Sequence, residues 1–255
     1  MSGPDALFSL RNNFQLGAYQ AAINESGVGG LSEAESIECD TIVYRSYIAL
    51  GSYQLVIDEI TESSATALQA VKLLALYLAD NTNKRAGRQE VVLAGLEGYL
   101  SDPVIGKNAT LLLVAGTVYA REQNYVDALK VAHALAANLE LYVFLLMDRA
   151  DLAEKQVKAM QQVDEDATLT QLALGWGGSK VQEATYVFQE LADKLSPSVS
   201  LLNGSALAQM HSGNFEDAEA LLLDALNKDA KDANTLANLV VCSLHRGKPA
   251  TRYLK

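Results

Sequence analysis

Cysteine, proline and positive charge are all scarce in this sequence, and each shortage excludes a class of protein. The two cysteines, Cys39 and Cys242, lie near opposite ends of the chain and do not form the dense framework of a small disulfide-rich secreted domain. The four prolines leave few breaks in helices. The formal net charge of -11 gives a surface that repels nucleic-acid phosphates and anionic lipid headgroups.

Long apolar runs and a secretory signal are also missing. The most apolar charge-free stretch, Asn108 to Ala120, is too short to span a bilayer. The residues from Met1 to Asp5 contain neither the basic region nor the apolar core of a signal peptide. We therefore predict a soluble, cytosolic protein that does not bind nucleic acid.

What the sequence does contain favours helix. Hydrophobic residues make up 49 % of the chain and charged residues 20 %, which is the balance of an ordinary folded protein. Alanine and leucine occur throughout and runs of β-branched residues are few, so the composition favours α-helix over strand.

A short motif recurs along the chain. It consists of a small turn residue, an aromatic residue two positions later, and a small apolar residue three positions beyond that. Tyr19 and Tyr53 of two copies are 34 residues apart, and so are Gly213 and Gly247. This is the period of tetratricopeptide repeats, in which each unit is a pair of antiparallel helices.

The repeat assigns a physical role to each of its positions. Four glycines fall where the first helix of a pair should end and the left-handed conformation is needed: Gly17, Gly51, Gly213 and Gly247. Four alanines fall where the two helices should approach most closely: Ala22, Ala128, Ala184 and Ala218. A larger side chain at such a position would overpack the pair, at a cost of roughly 1–3 kcal/mol.

We predict an all-α fold, a right-handed superhelical solenoid of tetratricopeptide-like hairpins that spans residues 1–255 as a single domain. The chain contains about seven predicted hairpins, and we expect them to form one continuous solenoid because each hairpin buries its faces only against its neighbours. The clearest one has a first helix at Leu201–His211 and a second at Phe215–Asn227. The last hairpin is predicted to be incomplete, with a second helix that begins at Pro249.

The concave side of such a stack, lined by the first helices, is the expected binding surface for an extended peptide or hairpin. Nine residues face this groove in the repeat register: Arg11, Phe14, Arg45, Ile48, Leu113, Thr117, Asn203, Leu207 and Met210. Packing between repeats is the alternative role for several of them.

Three other patterns resemble chemical sites but lack a required part. The segment Gly175–Lys180 resembles a phosphate-binding loop, yet its hydroxyl residue precedes its lysine and the segment before it is helical. Cys242 and His245 are spaced for chelation, but a zinc site needs at least three protein ligands. The acidic run Asp164–Asp166 fits the start of a helix. We therefore predict no catalytic residue, no cofactor and no metal.

Longer runs resemble a known family, the epsilon subunit of coatomer, which forms the coat of COPI vesicles. The clearest of these runs are Ala128–Lys130, Met147–Gln156, Asp164–Ala173 and Gln182–Leu191. The runs Leu201–Met210 and Asn234–Leu239 continue the resemblance, and Leu7–Gln20 also resembles the family. The resemblance covers nearly the whole chain, and such runs are far more specific than the generic repeat.

The resemblance implies a non-enzymatic structural subunit of the COPI coat, bound to the C-terminal domain of coatomer's alpha subunit. It implies a role in Golgi-to-ER retrograde and intra-Golgi transport, and a cytoplasmic location, peripheral on Golgi and COPI-vesicle membranes and in contact with them only through the coat. The alternative is a tetratricopeptide co-chaperone or adaptor that binds a peptide C-terminus. That role needs a convergent basic clamp, and the groove offers Arg11, Arg45 and Asn203 from distant repeats.

Replacing both Arg45 and Leu207 with Ala tests the groove assignment. We expect the double variant to bind the C-terminal domain of the alpha subunit more weakly than the parent in calorimetry. Unchanged affinity would count against the assigned register.

Overall fold

Helices provide the regular structure of the protein. A computed structural model describes residues 5–83, 88–135, 137–177, 180–195 and 197–254. Within these ranges it contains α-helices and two 3-10 turns but no strand, which confirms the predicted all-α fold class. None of the helices in the described ranges is long and apolar enough to cross a bilayer.

The chain divides into two compact units. The first holds the described residues up to Phe14 and from Tyr19 to Arg149, and the second holds Gln15–Ala18 and the described residues from Ala150 onward. The arrangement of residues 1–255 as a single continuous solenoid of about seven hairpins stays a prediction.

The helices of the first unit alternate with short turns. They are α1 (Phe8–Gln15), α2 (Tyr19–Asn24), α3 (Glu33–Ala49), α4 (Tyr53–Glu59), α5 (Thr66–Asn83), α6 (Arg88–Ser101), a 3-10 turn (Ile105–Lys107), α7 (Ala109–Arg121), α8 (Tyr125–Leu135) and α9 (Ala137–Leu146). Those of the second unit are α10 (Ala150–Val163), α11 (Thr168–Gly177), α12 (Val181–Leu195), α13 (Val199–His211), α14 (Phe215–Lys228), α15 (Ala233–His245) and a 3-10 turn (Thr251–Tyr253).

The turn inside a hairpin depends on one residue in the left-handed region. The four predicted glycines all have positive φ, as the repeat requires: Gly17 at 77°, Gly51 at 81°, Gly213 at 82° and Gly247 at 67°. After α13, the amide of Gly213 donates to the carbonyl of Met210 at 3.0 Å, and that of Asn214 donates to Gln209 at 2.9 Å. These two bonds satisfy carbonyls that the helix end leaves free.

The copy of the motif that lacks glycine closes its helix in the same way. Gln123 takes φ of 60° after α7. Its amide donates to Ala120 at 3.1 Å, and the amide of Asn124 donates to Tyr119 at 2.9 Å. The turn geometry is therefore kept although this residue carries a side chain.

The alanines that the repeat places between paired helices are buried. Their exposed fractions are 0 % for Ala22, Ala128 and Ala218 and 7 % for Ala184. Each belongs to a buried apolar cluster of its own unit.

Three apolar clusters form the core of the first unit. One joins α1, α2 and α3 through Leu10, Ala22, Cys39 and Ile42. A second joins α3, α4 and α5 through Ile48, Val56, Val71 and Ala75. The largest surrounds α7, whose buried residues include Leu111, Val114, Ala115 and Val118.

One core cluster of the second unit is arranged around Phe188 of α12, and a second one joins α13, α14 and α15. A Cβ atom added at Gly175 of α11 or at Gly204 of α13 would lie 2.8 Å from its ring, well inside van der Waals contact. Trp176 meets the same ring edge to face, with centroids 5.1 Å apart. The helices on both sides of Phe188 therefore approach it where they carry no side chain.

The predicted second helix from Pro249 is wrong. Pro249 and Ala250 are not helical, and only the 3-10 turn Thr251–Tyr253 follows. The amide of Tyr253 donates to the carbonyl of Ala250 at 3.0 Å, and both of these residues are buried. The amide of Leu254 likewise donates to the carbonyl of Thr251, three residues earlier, and such bonds form a 3-10 turn instead of an α-helix.

Gly204→Ala is expected to lower the free energy of unfolding by about 1–3 kcal/mol, because the new methyl group would overlap the ring of Phe188. Gly98→Ala is a matched control, since Gly98 also lies within a helix but a Cβ there meets nothing within 4 Å. That control should raise the free energy of unfolding by about 0.5–1 kcal/mol. Urea unfolding followed by circular dichroism measures both changes. The same gain in the two variants would contradict the packing around Phe188.

Candidate protein-binding surface

Arg11, the first predicted groove residue, is paired inside the chain. Its guanidinium donates to both carboxylate oxygens of Glu38, at 2.6 and 2.8 Å, and to Asp5 at 2.5 Å. The hydrogen bond to Glu38 raises the pKa of Arg11 above its ordinary value. Two carboxylates therefore compensate the positive charge of Arg11.

Arg45 of α3 has a different environment. Its guanidinium carbon lies 4.5 Å from the ring centroid of Phe14 in a cation–π contact. Phe14 meets Tyr19 edge to face, with centroids 5.8 Å apart. Burial lowers the pKa of Arg45 to about 10, and no carboxylate of the described residues forms an ion pair with it. Arg45 is thus a partly buried cation that rests on an aromatic ring and has no counter-ion in the described part of the chain.

The other predicted residues of the first unit have mixed roles. Ile48 is buried at 6 % exposure and packs in the cluster of α3, α4 and α5. Thr117 donates its hydroxyl to the carbonyl of Leu113 at 2.7 Å, within α7. Leu113 itself is only partly buried. Of these three, Leu113 leaves the most apolar surface for a partner.

Asn203 of α13 is engaged in a buried network of the second unit. Its amide donates to the carbonyl of Val199 at 2.9 Å and to the hydroxyl of Thr235 at 2.7 Å. Its carbonyl oxygen accepts from Asn238 at 2.9 Å. The network ties α13 to α15, so the polar atoms of Asn203 already have partners.

Leu207 and Met210 complete the predicted set. Both are partly buried on α13, and Met210 packs against the cluster formed by α13, α14 and α15. Contact of any of the nine residues with a partner stays a prediction.

The structure brings Arg11, Phe14 and Arg45 together on one surface of α1 and α3. Arg11 and Phe14 are three residues apart on α1, and Glu38 and Arg45 are two helical turns apart on α3. The ion pair and the cation–π contact therefore lie side by side. Glu38 was missing from the predicted set, although its spacing from Arg45 places both residues on one helix face.

The pair Cys242 and His245 has structural contacts. Cys242 is fully buried, and its thiol donates to the carbonyl of Phe215 at 3.2 Å. The ring of His245 stacks on that of Phe215, with centroids 4.6 Å apart. Within the described ranges, no group of three or more His, Cys, Asp or Glu side chains is placed to hold a metal ion.

The two remaining patterns are only partly described. Residues 178 and 179 of the loop that resembles a phosphate site lie outside the described residues, and Lys180 pairs with Glu183 at 2.6 Å. In the acidic run, a carboxylate oxygen of Asp164 accepts from the amides of Asp166 and Ala167, each at 3.1 Å. These bonds support the predicted place of the run at the start of α11.

Comparison with known proteins adds what the geometry alone does not give. The coatomer epsilon subunit family matches residues 3–255 of the chain. Coatomer subunit epsilon-1 of Arabidopsis thaliana is 54 % identical, with all of this chain and 88 % of the relative covered. The chain belongs to the coatomer epsilon subunit family. Coatomer subunit epsilon of Dictyostelium discoideum is 34 % identical, covering 96 % of this chain and 86 % of the relative.

Solved structures support the repeat assignment of this family member. A tetratricopeptide repeat protein from Parabacteroides merdae superposes with a TM-score of 0.56 at 15 % identity, covering 95 % of this chain and 86 % of that one. A chain of the APC/C hetero-tetramer Cut9–Hcn1 superposes with a TM-score of 0.63 at 16 % identity, covering 98 % of this chain and 51 % of that one. At these identities the likeness shows the fold alone, and it confirms the tetratricopeptide-like hairpins.

Membership of the coatomer epsilon subunit family settles the broad class. The chain is a structural component of a heteromeric coat and not an enzyme. The resemblance found in the sequence is thereby confirmed over nearly the whole chain.

A second charged cluster of this epsilon-family chain is structural. The carboxylate of Glu219 on α14 accepts from Lys248 at 2.7 Å and from Arg246. Arg246 also donates to Glu216 at 2.7 Å. The hydrogen bond from Lys248, together with the nearby positive charges, lowers the pKa of Glu219. The cluster ties the segment after α15 to α14.

Glu219→Gln should lower the free energy of unfolding by about 2 kcal/mol at neutral pH, because it removes charge-assisted hydrogen bonds from a buried site. The pKa of Glu219 lies below its ordinary value of 4.5 when folded, so its contribution is present above that pH and is lost as the pH falls through the lowered pKa. The stabilities of the parent and the variant, measured by urea unfolding, should therefore converge as the pH falls through the lowered pKa.

Glu216→Gln is the matched control, because Glu216 pairs with the same arginine but its side chain is 84 % exposed. It should change stability little at any pH. A difference between Glu219→Gln and the parent that is the same in acid and at neutral pH would contradict the lowered pKa.

Proposed function

We propose that this chain is a non-enzymatic structural subunit of the COPI vesicle coat that binds the C-terminal domain of coatomer's alpha subunit. In this role it supports Golgi-to-ER retrograde and intra-Golgi transport. It works in the cytoplasm and peripherally on Golgi and COPI-vesicle membranes, and contacts the membrane only through the coat. The observation that carries the proposal is membership of the coatomer epsilon subunit family over residues 3–255.

The helical hairpins suit a role in binding another protein. Their first helices carry side chains that the core does not fully use, among them Phe14, Arg45, Leu113 and Leu207. Helix surfaces of this kind recognise extended segments by combining apolar contacts with a few polar ones. The net charge of -11 opposes direct binding to anionic lipid, which supports recruitment through partner subunits.

The alternative, a co-chaperone or adaptor that binds a peptide C-terminus, has less support. A terminal carboxylate needs several converging donors. Of the three residues that could form the clamp, Arg11 is bound by Glu38 and Asp5, and Asn203 is bound within its own unit. Arg45 alone among the three keeps an uncompensated charge, and one cation does not make such a clamp.

Co-purification of the chain with the C-terminal domain of the alpha subunit, followed by calorimetry, tests the proposal. We expect a stoichiometric complex with a dissociation constant below about 1 μM, the range of a specific protein interface. The Arabidopsis relative serves as a matched control on the same domain. Binding by the relative but not by this chain would contradict the proposal, and tight binding of peptide C-termini instead would favour the adaptor.

A further inference from the structure

The charge of Arg45 is a feature of the described residues that contacts within the fold do not explain. Arg11, on the same surface, is held by two carboxylates. Arg246, in the second unit, is likewise held by Glu216 and Glu219. Arg45 is partly buried against Phe14 and has no carboxylate partner among the described residues.

An uncompensated cation at a partly buried site costs stability. Burial removes hydration from the guanidinium, and the fold returns no ion pair for it. The ring of Phe14 offsets only part of this loss, since a cation–π contact is weaker than a hydrogen-bonded ion pair. An arrangement that costs the free chain stability is typical of a group that receives its counter-ion from a partner.

The geometry of the site favours a carboxylate as that counter-ion. A guanidinium is planar and presents its N–H groups along its edges, so stacking one face on an aromatic ring leaves the donors available for a bidentate pair. The guanidinium carbon of Arg45 lies 4.5 Å from the ring centroid of Phe14, a distance that suits such stacking. Aspartate and glutamate side chains match the guanidinium fork in charge and in geometry.

A side-chain carboxylate fits better than a chain terminus. Arg45 offers a single fork, because Arg11 is already occupied by Glu38 and Asp5. The net charge of -11 also disfavours a strongly acidic partner segment. The site therefore fits one acidic residue within an otherwise neutral or basic stretch.

We propose that Arg45 anchors one aspartate or glutamate side chain of an extended partner segment, with the ring of Phe14 as the floor of the site. The inference rests on the proposed function, in which the partner is the C-terminal domain of the alpha subunit. It makes Arg45 a binding residue whose charge serves the complex and not the free chain.

Two measurements test this proposal together: calorimetry with the C-terminal domain of the alpha subunit, and thermal melting of the free chain. Arg45→Gln should weaken binding by roughly thirtyfold or more, because it leaves the partner's carboxylate buried and unpaired. The same variant should leave the melting temperature of the free chain unchanged or higher, because it removes an uncompensated cation.

Arg246→Gln is the matched control, since Arg246 is a largely buried arginine whose charge is paired within the chain. It should lower the melting temperature and change the dissociation constant by less than about threefold. Opposite responses of the two arginine variants are expected. A melting temperature of Arg45→Gln that falls as that of Arg246→Gln does would overturn the proposal, because Arg45 would then stabilise the fold.

A double-mutant cycle identifies the partner residue. Each Asp or Glu of the partner domain is changed in turn to Asn or Gln. One of these changes should weaken binding to the parent chain about as much as Arg45→Gln does. The same change should cause no further loss of affinity when it is combined with Arg45→Gln. If the loss of affinity is additive with that of Arg45→Gln for every acidic residue, the proposed pairing of Arg45 with a carboxylate would be overturned. If amidation of the partner's C-terminal carboxylate, instead of a side-chain change, proves non-additive with Arg45→Gln, the choice of a side-chain carboxylate would be overturned.

The binding measurements also distinguish a wrong role for Arg45 from a wrong function for the chain. If the parent chain binds and Arg45→Gln binds equally well, the role of Arg45 is wrong and the proposed function stands. If the parent chain does not bind at all, the proposed function fails and this inference fails with it.

Discussion

Close approach of helices at positions that carry little or no side chain shapes both units of this protein. Within hairpins the positions are alanines, such as Ala128 and Ala218, which are fully buried. Around Phe188 they are Gly175 and Gly204, where even a methyl group would overlap the ring. Because such contacts hold the helices together from their inner faces, side chains on the remaining faces are left for other uses.

The arginines show a similar contrast, because Arg11 and Arg246 are paired with carboxylates whereas Arg45 has no carboxylate partner in the described part of the chain. The ion pairs of Arg11 and Arg246 join segments that are distant in sequence, so their energy stabilises the folded chain. Arg45 lies beside the pair of Arg11, yet its charge is met only by the ring of Phe14. Two neighbouring arginines therefore differ in their partners, and this difference is the basis for proposing a binding role for Arg45.

Local signals allowed much of the fold to be predicted from the sequence. The 34-residue spacing and its glycines predicted α13 and α14 to within two residues at each end, because these turns are set by a few adjacent positions. The helix predicted from Pro249 was wrong, since a proline suited to a first helical turn does not by itself determine the hydrogen-bond pattern of the residues after it.

The candidate site was harder to predict, because its decisive contacts are long-range. The repeat register placed Arg11, Phe14 and Arg45 on a common surface. It did not show that Glu38 pairs with Arg11 and that Arg45 has no such partner. The most direct measurement is a structure of the chain bound to the C-terminal domain of the alpha subunit. We predict a partner Asp or Glu oxygen about 2.7–2.9 Å from the guanidinium of Arg45. A complex that leaves Arg45 without a partner carboxylate would contradict this account.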